Sequence, residues 1–332
     1  MNPDGFPYAA PWWLPGGNAQ TLWAALVSRR HFGPPPRWAR SRWITPDGDF
    51  VDVDQALHPS AHDAPLLVLF HGLEGSSTSQ YAVAFADFAA AHGLAYAVPH
   101  FRGCSGELNH APRAYHSGDF AEIDWILRRF ASEHPGRPLL AVGVSLGGNA
   151  LMRWAGELGD AAAQRVRAIA SVCSPLDLAA GGHAIGRGFN RLVYTRMFMR
   201  SMVPKALSKL EQHPGLFDRE ALLRARDLYE FDNLFTAPLH GFRDTADYWS
   251  RASAKPVLHR IRVPALALNA RNDPFVPASS LPTVQDAGSC VTLWQPAQGG
   301  HVGFPVSHGP FGMPGHVRAM PEAVGHWLLA HL

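Results

Sequence analysis

Three residues, Ser145, Asp273 and His301, follow one another along the chain and have the types that acyl transfer needs. Ser145 stands in Gly143-Val144-Ser145-Leu146-Gly147-Gly148, after an apolar run at 138–142 and before Asn149-Ala150-Leu151-Met152-Arg153-Trp154, which has helix-forming character. Strand, tight glycine-flanked turn with serine at its apex, then helix: in that setting G-x-S-x-G becomes a nucleophile elbow. The serine takes a strained conformation, and its neighbours two away must carry no side chain for strand and helix to pass closely. A serine hydroxyl is a poor nucleophile at neutral pH, so it needs a base within hydrogen-bond reach and an acid to orient that base.

After such an elbow the expected chain order is serine, then acid, then histidine, with the latter two just past the carboxyl ends of strands. Asp273 meets this rule, in Asn272-Asp273-Pro274 beyond an apolar strand at 264–269; Pro274 restricts it to an extended conformation. Asp177 is the alternative acid, one strand earlier, and Asp244 and Asp247 are weaker candidates. His301 is the base, in Gly299-Gly300-His301-Val302-Gly303 after the last strand; His308 and His316 come later and follow no strand. The oxyanion donors are expected to be the backbone N–H groups of Leu146, at a helix N-terminus, and Leu73, in the loop His71-Gly72-Leu73-Glu74-Gly75. His71 is expected to hold that loop by a side-chain hydrogen bond. Glu74, an odd charge beside an anion hole, is expected to face away or to pair with Arg102. Two H-x-x-x-x-D strings, from His58 and from His213, carry no weight: with 18 histidines and as many aspartates chance gives about one such match.

These residues need a scaffold, and the chain supplies alternating strands and helices. Strands are predicted at 41–44, 50–57, 65–70, 94–98, 138–142, 166–172, 264–269 and 291–295, with helices at 81–91, 120–130, after the elbow, near 279–286 and from about 321. The alternation implies a mostly parallel sheet with helices on both faces. A length of 332 residues, 47% hydrophobic, suits one large α/β core. Residues 1–40, rich in Pro, Gly and Trp, read as an arm over that core, with a short helix at 18–26 and Asn18 as its N-cap. Residues 41–174 and 257–332 form the core, and 175–256, without a clear strand, form a helical insertion. Within it Arg191, Arg196 and Arg200 fall near one face, and Leu192, Met199 and Met202 near another. Three readings stand for this segment: a cap over an acyl pocket, an ordinary packed helix, or a basic face on acidic lipid.

A net charge of +2 without basic clusters excludes a nucleic-acid partner. Three widely spaced cysteines, Cys104, Cys173 and Cys290, point to a reducing compartment, and the N-terminus reads as lacking a signal peptide. A cytoplasmic protein without a membrane span is expected. With no His-Glu-x-x-His and no Cys-x-x-Cys, neither a metal nor a cofactor is expected.

Taken together, Asn18-Ala19-Gln20-Thr21-Leu22, His71-Gly72-Leu73-Glu74-Gly75-Ser76-Ser77, Phe101-Arg102-Gly103-Cys104-Ser105-Gly106-Glu107 and Gly143 to Asn149 resemble the α/β-hydrolase fold, and within it the YheT-like branch. Segments 237–242, 271–275 and 299–304 fit as well, so the likeness spans nearly the whole chain; the arm departs slightly, with Asn18-Ala19 where related sequences usually show His-Leu. With the strand-free stretch read as a helical cap insertion on the mostly parallel sheet, the expected fold is complete; the resemblance implies esterase or lipase-like activity on carboxylic esters, with a triad falling on Ser145, Asp273 and His301. A small-molecule acyl ester, of short to medium chain or a lipid, is the expected partner, with peripheral lipid contact as a further expectation. The alternatives are an acyltransferase with the same acyl-enzyme and a non-catalytic binding module.

Overall fold

The computed structural model describes residues 5–307 and 315–332. Strands β3 (Leu66–Phe70) and β5 (Leu139–Val144) are buried at every position, as a strand covered on both faces must be. Their side chains divide by parity. Leu66, Val68 and Phe70 pack in a cluster with α3 (Phe120–Glu133) and α4 (Leu146–Leu158), whereas Leu67 and Leu69 pack with α2 (Gln80–Ala91) and the carboxyl-terminal helix Ala319–Leu329. The period-two alternation of a strand thus feeds two separate cores, one on each face of the sheet.

Eight strands make the sheet in the order β1-β2-β4-β3-β5-β6-β7-β8. β1 (Trp38–Ile44) and β2 (Phe50–Ala56) form an antiparallel hairpin around Pro46-Asp47-Gly48, and β2 runs antiparallel to β4 (Ala95–Pro99). From β4 and β3 through β5, β6 (Ala168–Val172), β7 (Ala265–Leu268) and β8 (Val291–Trp294) every pairing is parallel. All the loops that carry the candidate residues therefore emerge at one sheet edge, the carboxyl ends of the parallel strands.

Beyond α4 lies the single turn α5 (Asp160–Ala163), and beyond β6 the chain is helical until β7. Its first elements are α6 (Leu178–Ile185), α7 (Gly188–Asn190), a wide π turn at Arg191–Thr195, and α8 (Arg196–Gln212). Helices Arg219–Arg224, Leu228–Phe231 and Thr245–Ala252 follow. One expectation changes here. Leu192 does not share a face with Met199 and Met202: it is 65% exposed, while the two methionines pack against Leu222, Phe231 and Phe235. The π turn breaks the 3.6-residue period that would have aligned them. The helix also runs through Pro204, a residue that locally argues for a stop.

In the arm, Pro15 and not Asn18 stands at the N-cap position of α1 (Gly16–Leu26), without a side-chain capping bond. Asn18 lies inside the first turn, where its Oδ1 accepts a hydrogen bond from the Tyr194 hydroxyl at 2.9 Å. A tertiary partner has replaced the local one. No helix among the described residues is long and apolar enough to cross a membrane.

Candidate active site

The elbow is built by close approach. A β-carbon on Gly143 would lie 2.5 Å from the Gly147 carbonyl oxygen, and one on Gly147 would lie 2.4 Å from that of Phe70. Between them Ser145 has φ 52° and ψ −117°, a strained conformation for a residue with a side chain. The Ser145 N–H donates to the Val172 carbonyl at 2.8 Å, and α4 begins at the next residue. Glu74, Cys173, Val302 and Phe304 also have positive φ. With Ser145 these five stand in the segments that follow β3, β5, β6 and β8, so the non-glycine backbone strain among the described residues collects in the connections leaving the carboxyl ends of the strands.

His301 Nε2 lies 3.0 Å from Ser145 Oγ, and His301 Nδ1 lies 2.9 Å from Asp273 Oδ2. A carboxylate only accepts, so Nδ1 carries the proton and Nε2 is left to accept from the serine hydroxyl. The other Asp273 oxygen, Oδ1, accepts from the N–H groups of Phe275 at 2.7 Å and Val276 at 3.2 Å. Asp273 and His301 are both buried, and the imidazole rests against the Phe275 ring at 4.1 Å between centroids. The structure therefore brings Ser145, His301 and Asp273 into one hydrogen-bonded chain. Asp177 is elsewhere, capping α6 through the Ala180 N–H; Asp244 caps Thr245–Ala252, and Asp247 pairs with Arg243 and Arg251. His316 forms a β-bridge with Val306 and contacts the Phe32 ring, and His308 lies outside the described residues.

The arm reaches this chain, which sequence reasoning missed. Gln20, fully buried, accepts at Oε1 from the Gly299 N–H at 2.9 Å and from Asn272 Nδ2 at 3.0 Å. It thereby ties the loop before Asp273 to the loop before His301. Thr21 Oγ1 accepts from the His301 N–H at 2.8 Å. The signal was present as the string Asn18-Ala19-Gln20-Thr21-Leu22, but no local rule says what a buried glutamine will face.

The loop after β3 comes against the elbow: a β-carbon on Gly72 would lie 3.2 Å from Ser145 Cβ. Its Gly72 N–H donates to the Tyr81 hydroxyl at 2.9 Å, and the Gly75 N–H closes the turn onto the Gly72 carbonyl at 2.9 Å. His71 Nδ1 donates to that same carbonyl at 2.7 Å and Nε2 accepts from the Phe101 N–H at 3.0 Å. Both ring nitrogens are used, and complete burial pushes the imidazole pKa down to about 3, so His71 is a neutral structural group. Among the described residues, the N–H groups of Leu73 and Leu146 have no protein acceptor. The guess that Glu74 pairs with Arg102 is corrected. Arg102 is held by Asp47, Asp49 and Glu122, whereas Glu74 pairs with Lys205 at 2.8 Å.

A cleft opens over Ser145, with a cavity volume of about 160 Å³. Its walls include Leu178, Ile185, Phe198, Met202, Phe231 and Phe235 from the inserted helices, so it is largely apolar. The charged residues on the wall are mostly satisfied within the protein: besides Arg102, Glu74 and Lys205, Lys209 donates to the Asn109 and Ala111 carbonyls. Outside this cleft, His92, Glu322 and His326 have donor atoms within 4.8 Å of one another, but Glu322 is already engaged by Arg318.

Residues 65–307 match the family model for the alpha/beta hydrolase fold. Over 290 residues the chain is 39% identical to the YheT protein of Escherichia coli (strain K12), an esterase by its name, covering 86% of this chain and 84% of that one. It is 28% identical to the phospholipase ABHD3 of Mus musculus, over 88% of this chain and 72% of that protein. Among solved structures, a membrane phospholipase A described as a bacterial virulence factor superposes with a TM-score of 0.55 at 15% identity, over 89% of this chain and 86% of that one; at that identity the likeness speaks for the fold. An eight-stranded sheet of this order, an elbow after its fifth strand, a family match over residues 65–307 and a 39% identical relative covering 86% of the chain have one reading: the chain belongs to the α/β-hydrolase fold family, in its YheT-like branch.

Proposed function

We propose that this protein is a serine hydrolase that cleaves carboxylic esters of short to medium acyl chains or lipids. The observation that carries the reading is the hydrogen-bonded chain from Ser145 Oγ through His301 to Asp273, at 3.0 and 2.9 Å. In this reading His301 takes the Ser145 proton as the oxygen attacks the ester carbonyl, and Asp273 stabilises the imidazolium. The free N–H groups of Leu73 and Leu146 receive the oxyanion; a single such donor contributes about 10²–10³ in rate. His301 then protonates the leaving alcohol, and water, activated by the same histidine, releases the acid from the acyl-enzyme.

The apolar lining of the cleft supports an acyl chain as the group bound, and supports residues 175–256 as a cap around it. The names of relatives, an esterase, a phospholipase and, at 29% identity, a yeast monoacylglycerol lipase, support ester substrates. Exposed Trp12, Leu26 and Leu192, with exposed Arg191, Arg196 and Arg200, support a peripheral contact with acidic lipid. Three free cysteines support a cytoplasmic setting. The test is a fluorophosphonate probe followed by peptide mapping, with turnover of 4-nitrophenyl esters of graded chain length. Labelling at Ser145 with turnover is expected. A folded, unlabelled protein refutes the reading and favours a binding module; an acyl-enzyme that partitions to added alcohols rather than water makes it an acyltransferase.

A further inference from the structure

The Leu73 amide belongs to a four-residue turn, Gly72 to Gly75, whose remaining side chain is Glu74. At φ 56° Glu74 occupies a conformation that its backbone alone disfavours, so the turn must be held by contacts from outside it. Three contacts do this. Glu74 Oε1 accepts from the Tyr115 hydroxyl at 2.9 Å, and the same hydroxyl oxygen accepts from the Glu74 N–H at 2.9 Å. Glu74 Oε2 takes the Lys205 ammonium at 2.8 Å. Tyr115 is itself fixed by stacking on Phe101 at 5.4 Å and an interplanar angle of 8°.

Lys205 comes from α8, in the inserted helices. On the same helix Phe198 and Met202, seven and three residues earlier, line the cleft. One helix face thus touches both the apolar chamber and the turn that presents the Leu73 N–H. The Glu74 carboxylate is 10% exposed and the Lys205 side chain 38%, so the pair sits at the cleft wall, half shielded from water.

We propose that Glu74 and Lys205 form a clasp through which α8 sets the aim of the Leu73 amide, which makes both of them positioning residues for ester cleavage. The inference rests on Leu73 acting as an oxyanion donor and Ser145 as nucleophile. An acyl chain seated against Phe198 and Met202 packs on the same helix that carries Lys205, and so steadies α8 in the place where Lys205 already meets Glu74. Occupancy of the chamber is then felt at the oxyanion site, and longer acyl groups gain in kcat as well as in KM.

The experiment compares wild type with Lys205→Met, Glu74→Gln, the double variant and the exchanged pair Glu74→Lys/Lys205→Glu, on 4-nitrophenyl butyrate and octanoate. Loss of an entire oxyanion donor costs about 10²–10³ in kcat, and a misaimed one costs part of that. Each single variant is expected to lose about tenfold in octanoate kcat with KM within about twofold, less on butyrate, and the double variant to be no worse than either. The exchanged pair, or Lys205→Arg alone, restores most of the loss. Where Glu74→Gln fails to fold, Lys205→Met against Lys205→Arg decides the question. Multiplying single effects in the double variant, or unchanged kcat throughout, overturns the clasp. A fluorophosphonate assay on wild type separates the two levels: no label at Ser145 overturns the site and the clasp together, whereas a labelled wild type with silent variants overturns the clasp alone.

Discussion

Gln20→Ala tests whether the arm holds the acid and base loops in register. The side chain is fully buried and makes three hydrogen bonds: from the Gly299 N–H, from Asn272 Nδ2, and to the Leu14 carbonyl at 3.0 Å. Alanine leaves all three groups without a partner. Each orphan costs about 1–3 kcal/mol, and the low end applies where water can enter the space left behind, so a loss of about 3 kcal/mol in stability follows. The consequence for chemistry is larger. Asn272 also receives the Gly300 N–H at 3.0 Å, so its release loosens the residue next to His301 as well. A displacement of about 1 Å at a catalytic group costs on the order of 10² in rate. Steady-state kinetics on a 4-nitrophenyl ester at 20 °C, well below unfolding as followed by circular dichroism, should show kcat down by roughly 10–100-fold with KM changed less than about twofold. Thr21→Val, which removes the acceptor of the His301 N–H while keeping the shape, should move kcat the same way. A Gln20→Ala enzyme with a lowered melting temperature and unaltered kcat would refute the reasoning: the arm would then serve stability alone.

Ser145→Ala should remove turnover and fluorophosphonate labelling while leaving the far-ultraviolet spectrum intact. Asp273→Asn should lower kcat by about 10⁴, as loss of the orienting acid does in such triads, whereas Asp177→Asn should keep activity and cost about 1 kcal/mol or less of stability through the α6 cap. Gly147→Ala should fail to accumulate folded protein, because its β-carbon would sit 2.4 Å from a backbone oxygen. Burial holds the His71 and His116 pKa values at about 3, below the ordinary 6.5. The unfolded chain then binds more protons between those values, so stability is full above pH 6.5 and falls as pH drops towards 3. The slope is about 1.4 kcal/mol per pH unit per group, and His71→Asn should flatten it in urea titrations at pH 7.5, 6 and 5.

Much of this was legible along the chain. The run 138–144 with its glycines names strand, elbow and helix at once, because the close approach at Gly143 and Gly147 is a local steric demand. The buried strands show as unbroken apolar runs, and the sheet-end rule selects Asp273 and His301 from many acids and histidines. Local rules failed where tertiary contact outbids them. Asn18 has the type of an N-cap and serves Tyr194; Pro204 has the type of a helix stop and lies within α8. Local reading offers Glu74 either a turn away from the site or Arg102, a neighbour by motif, but three carboxylates in and beside the β1–β2 hairpin and α3 hold that guanidinium.

The sequence by itself determined the types of the candidate triad residues, their order and the strand ends on which they stand, since each depends on residues within a few positions of one another. Only the tertiary structure decided that Gln20 and Thr21 hold the His301 loop, that Lys205 closes on Glu74, and that the N–H groups of Leu73 and Leu146 have no protein acceptor among the described residues. Those facts join residues far apart in the chain, and what brings such residues together is the packing of the whole sheet and its inserted helices, a quantity that no local pattern carries.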